Sequence, residues 1–262
     1  MSDLNIFDRK LLRINRDRAS KNLGQFNFLF TDAADRIIEK VTDFNQSFNN
    51  ILEVGARDGF LGKQLFNLKK SSFLVQSDCS FLMAKSINST NVLVADDQLL
   101  CFKPESFDLI VSNCNLHFIN DLPGFLVQIK SLLKEKGLFI ASFFGGVTLQ
   151  QLRQAFYRSE LEYYNAVSPR IIPFVDVKSA GMLMRSAGFK NCISEREDIV
   201  VSYQDPLNLL KDIKNMGEAN IMFKRSKKFV TGSFLKLLNS LYGDHDSNID
   251  ANFELITVSG WN

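Results

Sequence analysis

Histidine and cysteine are scarce in this chain, with two and four among 262 residues, and each scarcity removes a class of chemistry. Cys79, Cys101, Cys114 and Cys192 show no C-x-x-C spacing, so neither a zinc site nor a disulfide framework is indicated, and they read as small core residues. An iron centre of two histidines and one carboxylate would have to recruit both His117 and His245, and nothing in the pattern brings them together. No apolar run approaches the roughly 20 residues of a membrane span. The formal net charge of +2 gives no whole-chain reason to expect nucleic acid. Met1-Ser2-Asp3-Leu4 lacks the basic-then-apolar layout of a secretion signal, and acids come too early for a transit peptide, so a reducing cytoplasm is the expected setting. No repeat or low-complexity linker breaks the sequence, and 45% hydrophobic with 23% charged residues is ordinary globular composition. One domain over residues 1–262 is expected.

What is present centres on Asn50-Ile51-Leu52-Glu53-Val54-Gly55-Ala56-Arg57-Asp58-Gly59. A short apolar run, an acid and glycines opening into Leu61, Leu65 and Leu68 describe a buried strand feeding a helix through a tight turn. Glycine lets backbone approach a ligand, and the helix start offers free N–H groups. The dinucleotide fingerprint G-x-G-x-x-G is excluded, because Gly55, Gly59 and Gly62 do not match its spacing. Glu53 would set a negative charge beside the loop, which suits a cationic ligand better than a pyrophosphate. S-adenosylmethionine, with an ammonium and a sulfonium, fits that description; a glycine turn without a ligand is the alternative.

Along the chain, Arg9, Lys10, Arg13, Arg16, Arg18 and Lys21 make a basic first segment, read as a solvated helix face or as an arm that meets an acidic partner. Asp32 is the expected cap of a helix bearing Ala34, Ile37, Ile38 and Val41. Strands are expected at Ser72 to Asp78, Asn91 to Ala95, Phe107 to Asn113, Leu138 to Phe143, around Ile199 to Val201, and at Phe253 to Ser259. Asp78 follows Gly59 at close to the spacing of about 20 residues at which a carboxylate reaches a ribose hydroxyl. Asp96 and Asp97 stand after the third strand, where an acid accepts from an adenine amine. A helix opened by Asp121 and Pro123 carries Leu126, Ile129, Leu132 and Leu133, with Gly137 past its end. Later helices are expected with Leu149, Leu152 and Phe156 on one stripe, up to Gly188, from Asp205-Pro206, and after Thr231. Apolar strands separated by helix patterns imply a parallel sheet covered on both faces, with ligands at the carboxyl ends of the strands.

These residues resemble the class I S-adenosylmethionine-dependent methyltransferases over nearly the whole chain. The resemblance implies a Rossmann-like, doubly wound seven-stranded α/β sheet, mostly parallel with an antiparallel last strand, here Phe253 to Ser259. It implies S-adenosyl-L-methionine as cofactor, held by Glu53, Gly55, Ala56, Gly59, Asp78, Cys79, Asp96, Asp97 and Asn113. Arg57 stands where the family usually has glycine, and its side chain is expected to point away from the cofactor. Phe7-Asp8-Arg9, Asn120-Asp121-Leu122-Pro123, Gly145-Gly146, Ser168-Pro169 and Met216-Gly217-Glu218-Ala219-Asn220 are similar to the branch that hydroxylates an arginine during complex I assembly. The other branch it resembles is the malonyl-acyl-carrier-protein O-methyltransferases of biotin synthesis. The implied partner is therefore a complex I subunit or an acyl carrier protein, in a bacterial cytoplasm because the family domain starts almost at Met1. A non-catalytic assembly chaperone is the third reading, supported by Arg57. His117 is the acid/base candidate, with a packed, satisfied histidine as its alternative. Arg170 and the arginines of the arm (residues 1–30) would serve a substrate carboxylate. The arm and a substrate-side insertion at about 146–180, through Ser168 to Phe174, are expected to close the mouth above the strand ends.

Overall fold

Asp8 is extended and accepts a hydrogen bond from the Leu11 N–H at 3.1 Å, which starts helix α1 (Arg9–Ala19). The structure is a computed structural model that describes residues 5–68, 71–228, 230–242 and 248–262; His245 lies outside them. After the short α2 (Leu23–Phe26), α3 (Phe28–Asp43) buries Leu29, Phe30, Ala33, Ala34, Ile37 and Val41. Its apolar stripe begins earlier than expected, so Asp32 sits inside the helix and pairs with Arg36 at 2.7 Å rather than capping it.

Strand and helix then alternate: β1 (Asn50–Val54), α4 (Phe60–Leu68), β2 (Phe73–Asp78), α5 (Phe81–Ser86), β3 (Val92–Val94) and β4 (Phe107–Asn113). A single 3-10 turn over Leu116–Phe118 leads to α6 (Leu122–Leu132), where Asp121 accepts from the Gly124 N–H at 2.9 Å and Pro123 occupies the first turn. Gly137 is not the residue past this helix. Leu133 already turns extended to pair with Phe107, a register shift follows, and Gly137 lies within β5 (Leu133–Phe144). Leu149, expected on the next helix stripe, is left-handed at φ 56° just before α7 (Gln150–Tyr164). There follow α8 (Val177–Ser186), β6 (Lys190–Tyr203), α9 (Pro206–Asn215), α10 (Gly232–Tyr242) and β7 (Ile249–Trp261). Asp205 and Thr231 cap α9 and α10 as expected, accepting from Asn208 N–H and Phe234 N–H.

The strands form one sheet in the order β3-β2-β1-β4-β5-β7-β6, parallel except that β7 runs antiparallel to both neighbours. Ile37, Val41, Leu61 and Leu65 pack on Ile51, Leu109 and Ile140 on one face. Leu126, Ile129 and Met184 pack on Leu52, Ile110 and Phe139 on the other. Burying such side chains contributes roughly 1.5–3 kcal/mol each, and the two covered faces leave the carboxyl ends of β1, β2 and β4 as the place where chain reversals crowd polar groups together.

Candidate active site

The turn after β1 is possible only with glycine at its ends. Gly55 has φ 73°, and a Cβ there would lie 2.5 Å from the Asn115 side chain; Gly59 has φ 76°. Gly55 N–H and Ala56 N–H both donate to the Ser77 carbonyl, at 2.8 and 2.9 Å, so the loop is clamped to the end of β2. Next to it the fully buried Asp78 accepts from the Arg57 N–H at 3.1 Å, the Ser80 N–H at 2.8 Å and the Arg16 guanidinium at 3.1 Å. Its carboxylate is thus occupied by the protein's own donors.

Arg16 comes from α1 and is 1% exposed. It also donates to Asn115 Oδ1 at 2.5 Å and lies 3.7 Å from Asp97. Burial works against its charge, but the carboxylates of Asp78 and Asp97 more than offset that and raise its pKa, so it is a cation. Burial pushes the Cys79 thiol up to about 12, which leaves it a neutral packing group. Arg9 reaches Asp97 at 3.1 Å and Asp96 at 3.4 Å, and Arg13 reaches Asp96 at 3.2 Å. Burial of Asp97 is outweighed by Arg9 and Arg16, and its pKa is lowered.

Arg57 takes φ 51° and departs from expectation: its side chain turns inward. The guanidinium donates to the carbonyls of Asn113 and Cys114 at 2.7 and 2.6 Å and to Glu218 at 2.6 Å, and lies 4.0 Å from the centre of the Phe30 ring. With the main chain left-handed at this point, the side chain leaves over the end of β4, where two carbonyls and a carboxylate await a cation. The other oxygen of Glu218 meets His117 Nε2 at 2.8 Å. Phe144 N–H donates to His117 Nδ1 at 3.4 Å, so Nδ1 is the acceptor and Nε2 carries the proton toward Glu218. Burial lowers the His117 pKa despite Glu218, while His117, Arg57 and Arg16 overcome the burial of Glu218 and lower its pKa. The pair is neutral imidazole and carboxylate, walled by Phe118, Phe144 and Phe174.

Glu53 is buried beside the loop but bonded inward, accepting from Gln76 Nε2 at 2.7 Å and Gly62 N–H at 3.1 Å. Burial raises its pKa to about 8, so it is protonated at neutral pH and not the negative charge expected there. Asn113 donates to the Phe30 carbonyl at 2.8 Å. Arg170 is held by Glu160 at 2.6 Å and lines a separate cavity of about 240 Å3 with Phe156, Ile172, Phe174, Lys214 and Glu218. The glycine loop and Asn113 line one small space; Asp78, Cys79 and Asp97 meet at Arg16, Asp96 joins through Arg9, His117 through Glu218, and Arg170 lines the separate cavity. Sequence reasoning missed Asn115 and Glu218, and it set Arg16 on a solvated or substrate-facing arm, whereas the residue is buried on Asp78. Arg16 was hidden in a basic run, whereas Glu218 stands in Met216-Gly217-Glu218-Ala219-Asn220, where an acid among Gly and Ala was a usable signal.

The family description "Methyltransferase domain" matches residues 52–141. The arginine-hydroxylase NDUFAF5, mitochondrial, of Mus musculus is 32% identical over 98% of this chain and 78% of its own length. The chain belongs to the S-adenosylmethionine-dependent methyltransferase family. A malonyl-[acyl-carrier protein] O-methyltransferase of Gallionella capsiferriformans is 24% identical over 98% of this chain and 91% of its own. Among solved structures, the YcgJ protein of Bacillus subtilis superposes with a TM-score of 0.61 at 12% identity, covering 88% of this chain and 98% of that one, which supports the fold. S-adenosyl-L-methionine is the cofactor of this family. Between the glycine loop, Phe30 and Asn113 the side chains as arranged do not leave room for it. The space lined by Asn27, Phe30, Glu53, Gly55, Arg57 and Asn113 is about 20 Å3, enough for a water or two, against roughly 300–1,000 Å3 for pockets that enclose small ligands. An opening of about 700 Å3 lies at the other end of the strands by Asn50, Ser106 and Lys134, away from the loop.

Proposed function

We propose that this chain is a methyltransferase-fold enzyme that binds S-adenosylmethionine and acts on an arginine-bearing protein acceptor during assembly of respiratory complex I, in a bacterial cytoplasm. The observation that carries the acceptor class is Glu218. A buried carboxylate, kept ionised, stands at the wall of the 240 Å3 cavity and already binds one guanidinium at 2.6 Å. Glu218 would receive an acceptor guanidinium by the same paired geometry. His117 is the positioning residue that fixes the second carboxylate oxygen, and Phe174 and Ile172 exclude water. The similarity to the arginine hydroxylase along almost the full chain supports the same acceptor.

One observation favours the malonyl-acyl-carrier-protein reading. Arg170 Nη2 is buried without a partner, and Lys214 and Arg225 line the same cavity, a set suited to a free carboxylate. Growth separates the two. Expression in a bacterium lacking its own malonyl-acyl-carrier-protein O-methyltransferase is expected not to restore growth without biotin; rescue that is lost with Arg170→Ala would transfer the assignment to that acceptor. Cofactor binding with no turnover on either acceptor would assign the chain to non-catalytic assembly.

A further inference from the structure

We propose that the cofactor cleft carries its own plug: Arg16 of α1 and Arg57 of the glycine loop occupy it with their guanidinium groups, and cofactor binding expels them together. The inference rests on the reading that this chain binds S-adenosylmethionine.

Two cations fill two sets of acceptors. At the end of β2, Arg16 meets Asp78, Asn115 and Asp97, which places a fixed positive charge on the acid expected to take the ribose. At the end of β4, Arg57 meets the carbonyls of Asn113 and Cys114, acceptors well suited to an ammonium group, and stacks on Phe30. The space beside Arg57 is about 20 Å3, and Arg16 takes the Asp78 and Asn115 acceptors next to it, so a ligand cannot use either acceptor set while the guanidinium groups stay.

The two plugs are joined through one segment. Phe7 and Met222 form an antiparallel bridge, Asp8 N–H donates to Ile221 O at 2.8 Å, and Phe223 N–H donates to Ile6 O at 3.0 Å. Gly217, at φ 80°, lets this segment touch α1, where an added Cβ would lie 3.3 Å from Ala19 Cβ and 3.6 Å from Arg16 Cα. The same segment supplies Glu218, the counter-ion of Arg57. When α1 and residues 216–223 move away as a unit, Arg16 leaves with α1 and Arg57 loses its carboxylate. A buried guanidinium without its partner is unfavourable, so Arg57 follows into the vacated, solvated mouth. Arg9 and Arg13, on Asp96 and Asp97, hold α1 down in the absence of ligand.

A lid that closes over its ligand and a plug that yields to it differ in sign. S-adenosylhomocysteine is titrated into the full chain by calorimetry, and amide hydrogen exchange is followed over Arg9 to Ala19. Exchange in α1 is expected to rise on binding. Arg57→Gly, at a left-handed position that glycine accepts, is expected to bind roughly tenfold more tightly, as one charged contact set no longer competes. Arg13→Glu, half exposed and set against Asp96, loosens α1 without touching the core and is expected to tighten binding in the same direction. Protection of α1 on binding, or equal affinity of wild type and both variants, would overturn the plug and leave the cofactor reading standing. Absence of heat with all three proteins would overturn both.

Discussion

Two buried carboxylates of the cleft behave in opposite ways, and the difference is in their partners. Glu53 has amide partners and no cation, so burial dominates and its pKa rises to about 8, whereas Glu218 has Arg57 and His117 and stays ionised. The sign for Glu53 follows: between pH about 4.5 and about 8 the unfolded chain has released this proton and the folded chain keeps it. Stability attributable to Glu53 therefore falls as pH rises through that window and levels above it, by a few kcal/mol at most. Glu53→Gln is expected to keep both hydrogen bonds and remove that slope; urea melts of the two proteins at pH 5, 7 and 9 check it, and parallel profiles would contradict it. His117, lowered by burial, contributes stability that is lost as pH falls below its ordinary 6.5, and being common to both proteins it cancels. Glu218→Gln leaves the Arg57 guanidinium buried against carbonyls alone. The expected cost is about 3–5 kcal/mol, read by denaturant unfolding, and a loss below about 1 kcal/mol would mean that Arg57 finds water.

At the scale of elements, α1 and the segment after α9 act through one close approach. Gly217→Ala adds a methyl at φ 80°, a conformation L residues rarely adopt, and presses on Ala19 and Arg16. The expected loss is about 1–3 kcal/mol of stability, with faster amide exchange in α1 than in β1 or β4; a uniform change across the chain would contradict a local contact. Elements with apolar runs were legible from sequence. β1, β2, β4 and the caps at Asp121, Asp205 and Thr231 stand where hydrophobic pattern and cap chemistry put them. β6 was largely hidden because it is the edge strand, and Glu195, Arg196, Glu197 and Asp198 face solvent along it, which reads as a loop. The strand start at Leu133 depends on a partner distant in sequence, Phe107, whereas Asp32 lies inside a helix whose apolar stripe already includes Leu29 and Phe30. The candidate site divides likewise. Glycines and strand-end acids repeat a local spacing, while the burial of Arg16 and the meeting of Arg57 with Glu218 depend on which helix lies over which strand.

Taken whole, the molecule concentrates its buried charge at one end of the sheet. Arg9, Asp97, Arg16 and Asp78 form one chain of ion pairs and Arg57, Glu218 and His117 another, joined by the Arg57 N–H on Asp78, between α1 and the ends of β1, β2 and β4. Paired buried ions are poor stabilisers compared with apolar packing, so their concentration at strand ends points to binding rather than to folding. No helix among the described residues is long and apolar enough to cross a membrane. The proposed acceptor is tested most directly by mass spectrometry of complex I subunits from cells with and without this gene. A mass increment on one arginine is expected in cells carrying the gene, absent from the deletion and restored by the intact chain but not by Glu218→Gln. An identical arginine mass in all of these cells would contradict the account.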